Sequence, residues 1–194
     1  MAGGQERESP RRELTSKEQG GVHKEGNAST PLAPLTQGEL SWYERPHEEL
    51  VKGFQDYIQE KGKLFGGRSS PVEIIRMRLY EETNSSLNRE KMSFFFPLRV
   101  AWDALTYHRY EPGSFREYLV GSMLQSEYKC SHEPAIKLSH PLQVRVIDSL
   151  TEAVGIPHQK GQAVIEIPEK LRDYDKWVSS KEYKERVAKA KAKK

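Results

Sequence analysis

The chain has 194 residues, enough for one domain with a sizeable core and too few for two comfortable ones. Its net charge is only +3, and its single cysteine, Cys130, excludes an intramolecular disulfide and fits a reducing compartment. No apolar run approaches the ~18–20 residues that span a bilayer, and the charged stretch Met1–Glu18 lacks the apolar core of a secretory signal.

Residues 1–40 contain no Phe, Trp or Tyr, so all 18 aromatics lie beyond them. Such a segment buries too little apolar surface to offset its ordering entropy, and it reads as a disordered N-terminal arm. Order is expected to begin near Trp42–Tyr43. From Pro46, Leu50, Val51, Phe54, Tyr57 and Ile58 recur at helical spacing until Gly62. A second helix opens on Ser70 as N-cap, Pro71 at the first helical position and Glu73 three after the cap. Val72, Ile75 and Leu79 give it one apolar face, and Asn84-Ser85-Ser86 closes it.

In Lys91–Pro97, Met92, Phe94 and Phe96 alternate with Lys91, Ser93 and Phe95, which predicts a short strand stopped by proline. Leu98–Arg109 has helical spacing. After the turn Glu111-Pro112-Gly113, Ser114 caps another helix with Glu117 completing a capping box; Phe115, Tyr118, Leu119, Ser122 and Met123 are expected on its buried side. Ser139-His140-Pro141 starts a helix through Val154, stopped by Gly155-Ile156-Pro157, and Val164–Pro168 is a second candidate strand. Leu171, Tyr174 and Trp177 precede a last helix with Tyr183, Val187 and Ala190 on one face and lysines on the other. The expected fold is mostly α: the arm 1–40, a helical domain over 41–180 with one or two short β-strands, and a basic C-terminal helix over 181–194.

The segment from Lys91 to about Tyr128 resembles the ribbon-helix-helix family of DNA-binding proteins, in its alternating strand, proline, helix, Gly113-Ser114 turn and helix reading Ser-Phe-Arg-Glu-Tyr-Leu. The resemblance implies an intertwined homodimer or higher oligomer whose paired strands enter the major groove of duplex DNA. Lys91, Ser93 and Phe95 would then face the bases; Phe95 departs from the family pattern, and is expected either to touch a thymine methyl or to be buried. Ser114, with Arg116 two residues on, would hold a phosphate at a helix N-terminus. Independently, Lys181, Lys184, Arg186, Lys189, Lys191, Lys193 and Lys194 outnumber Glu182 and Glu185, giving this end a net +5 while the other 180 residues sum to −2. Those side chains are candidates to neutralise phosphates.

Other signals are weaker. Cys130, His132, His140 and His158 lack the spacing of a zinc knuckle, and Gly66-Gly67 is followed by no Gly-Lys-Ser/Thr of a phosphate loop. No catalytic motif, cofactor or metal is therefore expected. The sequence points to a non-enzymatic nucleic-acid-binding protein, cytoplasmic or nuclear, or virion-associated in a virus: a regulator, a replication, partition or packaging accessory, or a nucleoprotein. The alternative is a protein–protein interaction subunit without nucleic-acid contact, its lysines a solvated face and Phe94-Phe95-Phe96 in a core or subunit interface.

Overall fold

A computed structural model describes residues 41–85, 89–130 and 132–193. The expected arm 1–40, Ser86 and Lys194 lie outside those residues. The described residues fold mostly as helices: α1 (His47–Leu64), α2 (Pro71–Ser85), α3 (Arg89–Thr106), α4 (Phe115–Tyr128), α5 (Pro141–Val154), α6 (Glu169–Arg172), α7 (Tyr174–Ser179) and α8 (Lys181–Lys191). A small antiparallel sheet pairs β1 (Ala135–Lys137) with β2 (Val164–Glu166), with Ile136 opposite Ile165.

The N-caps read from sequence are in place, but the box expected at Ser114 is half made, since Ser114 N–H donates to the Glu111 carbonyl and the Glu117 carboxylate takes the Gly113 N–H instead. Glu73 N–H donates to Ser70 Oγ at 3.3 Å, and Glu117 N–H donates to Ser114 Oγ at 3.1 Å. At α5, His140 Nδ1 accepts from Leu142 N–H, while Gln143 Oε1 accepts from His140 N–H, and Gly155 ends the helix in the left-handed region at φ 72°.

At the centre lies α3, which packs against α2, α4, α5 and both strands. Phe95, Leu98, Val100, Ala101, Trp102 and Ala104 are all buried, so from Phe95 onward the helix is covered on every side rather than along one stripe. Trp102 Nε1 donates to the carbonyl of Val72 at 3.1 Å, fastening the start of α2 to the C-terminal part of α3.

The strand expected over Lys91–Pro97 does not form, because the segment is the first half of α3, with Pro97 inside the helix. Pro97 cannot donate to the carbonyl four residues back. The carbonyl left without that donor is Ser93's, and the neighbouring Phe94 carbonyl accepts from Gln143 Nε2 at 2.9 Å. The three phenylalanines do not alternate between two faces but fan around the helix. Phe94 meets Tyr43, Phe95 stacks on Trp42, and Phe96 stacks on Tyr128 with Arg99 over its ring. With the strand goes the element on which the ribbon-helix-helix resemblance chiefly rests.

A second correction concerns α4. Its buried residues are Glu117, Val120, Gly121 and Leu124, while Phe115, Tyr118 and Leu119, expected inside, are exposed. Gly121 decides this rotation: the Tyr174 ring lies so close that any Cβ there would overlap it. Tyr174 is itself buried at 1% exposure, so the ring has nowhere to retreat. Replacing Gly121 by alanine should therefore cost about 1–3 kcal/mol through overpacking. Urea unfolding would measure this, and an unchanged midpoint would show that the α4–α7 contact is not tight.

Candidate nucleic-acid interface

The turn Tyr110–Gly113 joins α3 to α4 and is held by one carboxylate. Glu117, buried in the first turn of α4, accepts from the Gly113 N–H and from the Tyr107 hydroxyl at 3.1 Å. Burial, then the Glu117 charge, raises the Tyr107 phenol far above its ordinary value, so it remains an O–H donor. Gly113 sits at φ +77°, and its missing Cβ leaves room for Val187 of α8, whose Cγ2 would otherwise lie 2.5 Å from that Cβ.

Val187 thus seats the C-terminal helix on the turn that opens α4. The seat is reinforced through Trp177. Tyr183 meets its ring edge-on at 4.7 Å, and the Arg186 guanidinium lies 5.3 Å from its centroid. Ser180 caps α8 by accepting from Tyr183 N–H at 3.2 Å.

Two hollows flank this junction and share Glu111. One, of about 410 Å³, lies between Pro112 and the α8 residues Arg186, Lys189 and Lys193. The other, of about 560 Å³, opens between the N-termini of α2 and α4, with Ser70, Arg109, Ser114 and Arg116 among its lining.

The candidate residues divide accordingly. Ser114 and Arg116 share this end of the molecule with Arg186, Lys189 and Lys193. Lys181, Lys184 and Lys191 are exposed along α8, Lys181 in a surface ion pair with Glu185 at 3.8 Å. Lys91 and Ser93 are exposed at the far end of α3, about 20 Å or more along the helix axis from Thr106 at 1.5 Å per residue. The Ser93 hydroxyl donates to the Arg89 carbonyl. Phe95, 1% exposed, touches nothing outside the protein and cannot read a base.

A polar cluster beneath the larger hollow escaped the sequence reading. Asp103 of α3 is fully buried, with Arg76 Nε 3.3 Å from Oδ1. Glu73 lies at the other end of the same guanidinium, 3.9 Å from Nη1, and Tyr110 completes the group. Burial outweighs the pull of Arg76 and Arg99 and pushes the Asp103 carboxyl up to about 7. The available signal was that Arg99 and Asp103 are the only charged residues between Lys91 and His108. Their i,i+4 spacing suggests a mutual pair, yet each finds a partner on another helix, Arg99 reaching Glu127 at 2.7 Å.

The cysteine and histidines serve other ends. Burial pushes the Cys130 thiol up to about 11, which leaves little thiolate at neutral pH. His158 packs on Asp148 at 3.2 Å and His140 caps α5. Among the described residues, no three His, Cys, Asp or Glu side chains converge as a metal site, and no helix is long and apolar enough to cross a membrane.

Comparison with protein-family models, curated proteins and solved structures finds no match to this chain.

The raised Asp103 carboxyl gives stability a definite sign against pH. Between pH 4 and 7 the folded state keeps a proton that the unfolded chain, at an ordinary carboxylate value, releases. Stability should therefore fall as pH rises through that window, by at most a few kcal/mol at about 1.4 per unit. Thermal denaturation across the window should show this loss in the natural chain and a flattened profile in Asp103→Asn. Equal slopes in the two would assign the pH dependence elsewhere.

Proposed function

We propose that this chain is a non-enzymatic nucleic-acid-binding protein that grips phosphates where α8 lies against the α3–α4 turn. The observation that carries the reading is the Val187–Gly113 contact. It sets Arg186, Lys189 and Lys193 beside the N-terminus of α4, where Ser114 and Arg116 sit and Arg109 adds a further cation. Guanidinium and ammonium groups beside a helix N-terminus favour phosphate oxygens through charge and through N–H donors together. Duplex DNA, the partner expected from sequence, offers such oxygens in a regular array.

Five cations on one surface set a measurable scale. If Arg109, Arg116, Arg186, Lys189 and Lys193 each neutralise a phosphate, the logarithm of affinity should fall with that of salt with a slope of about −4 to −5. The double reversal Lys189→Glu with Lys193→Glu should weaken duplex binding about tenfold or more and reduce that slope by about two. Fluorescence anisotropy on a labelled duplex reads both; undetectable binding at low salt, or an unaffected double variant, would sink the proposal.

A second reading, the protein-interaction subunit, has one observation behind it. Phe115, Tyr118 and Leu119 form an outward apolar stripe on α4, exposed by 74%, 51% and 41%. A covered stripe would show as a dimer or higher oligomer in size-exclusion chromatography with light scattering, dissociated by Leu119→Glu. A strict monomer would remove homo-oligomerisation from that reading.

A further inference from the structure

The hollow between the N-termini of α2 and α4 carries more chemistry than a phosphate grip needs. Its exposed rim and its buried floor have opposite characters. On the rim, Arg109 and Arg116 are exposed cations, and the capped starts of two helices of 15 and 14 residues meet there at Ser70 and Ser114. Pro71 has no N–H and the Ser70 and Ser114 hydroxyls take those of Glu73 and Glu117, but the remaining first-turn N–H groups lack intrahelical acceptors and, with the partial positive charge of the two helix ends, make this rim favour an anion.

The floor is made by Glu73 and Tyr110, 9% and 8% exposed. Glu73 Oε2 faces Arg76, but Oε1 has no hydrogen-bond partner. The Tyr110 hydroxyl lies beside Thr106, and it too makes no hydrogen bond of normal geometry. A buried carboxylate oxygen without a donor is costly and uncommon in a folded protein. Inorganic phosphate alone would suit the rim and be repelled by the floor. The matching ligand carries a phosphate and, a few ångströms away, N–H or O–H donors.

Phe115 supplies the third requirement. It stands at the mouth of the hollow with 74% of its surface exposed, a flat ring open to stacking. The volume, about 560 Å³, lies in the range of small-molecule sites.

We infer that this hollow binds a nucleoside phosphate, its phosphate at Arg109, Arg116 and the helix N-termini, its amino or hydroxyl donors at Glu73 and Tyr110, and its base near Phe115. The inference rests on the nucleic-acid reading only in its choice of ligand class. The same chemistry is presented by a free nucleotide and by the phosphorylated end of a strand.

Calorimetry with adenosine monophosphate, adenosine and inorganic phosphate tests the site on the intact chain. The monophosphate should bind at least tenfold more tightly than either fragment. Arg116→Ala, at an exposed position, should weaken the monophosphate about tenfold and leave adenosine unchanged, as expected for one charge-assisted contact. Glu73→Gln should weaken the monophosphate and adenosine alike without weakening phosphate. Monophosphate binding no tighter than phosphate, or unaffected by both substitutions, would overturn the free-nucleotide form. A duplex with a phosphorylated end, compared with one ending in a hydroxyl, decides the source: preference for the phosphorylated end, lost in Arg116→Ala, assigns the site to strand ends. Equal binding to both duplexes without monophosphate binding overturns this inference and leaves the phosphate grip standing. Monophosphate binding without any duplex binding does the reverse.

Discussion

The rest of this structure depends on how a fully buried carboxylate is accommodated. Asp103 sits in the stretch of α3 that is covered on all sides, and its nearest cation comes from another element, Arg76 of α2. Burying an ion pair costs desolvation that the attraction between its members often fails to offset. The Asp103 carboxyl, pushed up to about 7, shows the balance tipping toward that cost. What the pair supplies is position. Arg76 can meet Asp103 in only one register of α2 on α3, and the Trp102–Val72 hydrogen bond fixes the same register one turn away. An apolar contact of equal area would not specify that register so sharply, because dispersion and hydrophobic burial are nearly non-directional.

That register has consequences for the surface. It sets the Ser70 end of α2 against Tyr110, where α3 runs out into the 3₁₀ turn Tyr107–Arg109. From there Glu117 folds the chain back into α4 by holding Gly113 and Tyr107 together, and Gly113 leaves the space into which Val187 of α8 fits. A chain of contacts therefore connects the buried pair to the basic C-terminal helix. The cations of α8 are placed by apolar and aromatic packing at Val187, Tyr183 and Trp177 rather than by their own ion pairs. This order is physically sensible, since exposed pairs such as Lys181–Glu185 contribute little at ordinary ionic strength.

How much of this was legible in the sequence depended on the range of the determining interactions. Helix starts set by a neighbouring side chain were legible: Ser70 with Glu73, Ser114 with Glu117, and the turn at Gly155. At 91–97 the pattern predicts a strand where a helix forms because, in so short a run of aromatics, the period of a strand and that of a helix place apolar residues almost interchangeably. Phe95, Leu98 and Trp102 form the helical alternative, and Pro97, which would stop a strand, lies within the helix. The face of α4 could not be read locally. It is chosen by Tyr174, far along the chain, pressing on Gly121. For the candidate site the same rule holds. The basic run was plain, but its neighbourhood with Ser114 and Arg116 required the Val187 contact, and the partners of Asp103 and Arg99 lie on other helices.

The polarity of the larger hollow follows from these constraints. The arginines stand at its rim because Arg109 and Arg116 bracket the α3–α4 connection, where the chain is forced to the surface. The acidic floor arises because the register demanded by Asp103 also holds the first turn of α2, with Glu73, against the end of α3. A purely cationic cleft would attract any anion, including the salt of its surroundings. A buried carboxylate below cationic walls instead penalises an anion that brings no donor, and the penalty grows with burial because the local dielectric is low. Selectivity here would therefore come from what the floor rejects as much as from what the rim attracts. The two are linked mechanically, since the arginine that answers Asp103 also faces one oxygen of Glu73, whose other oxygen is buried without a hydrogen-bond partner.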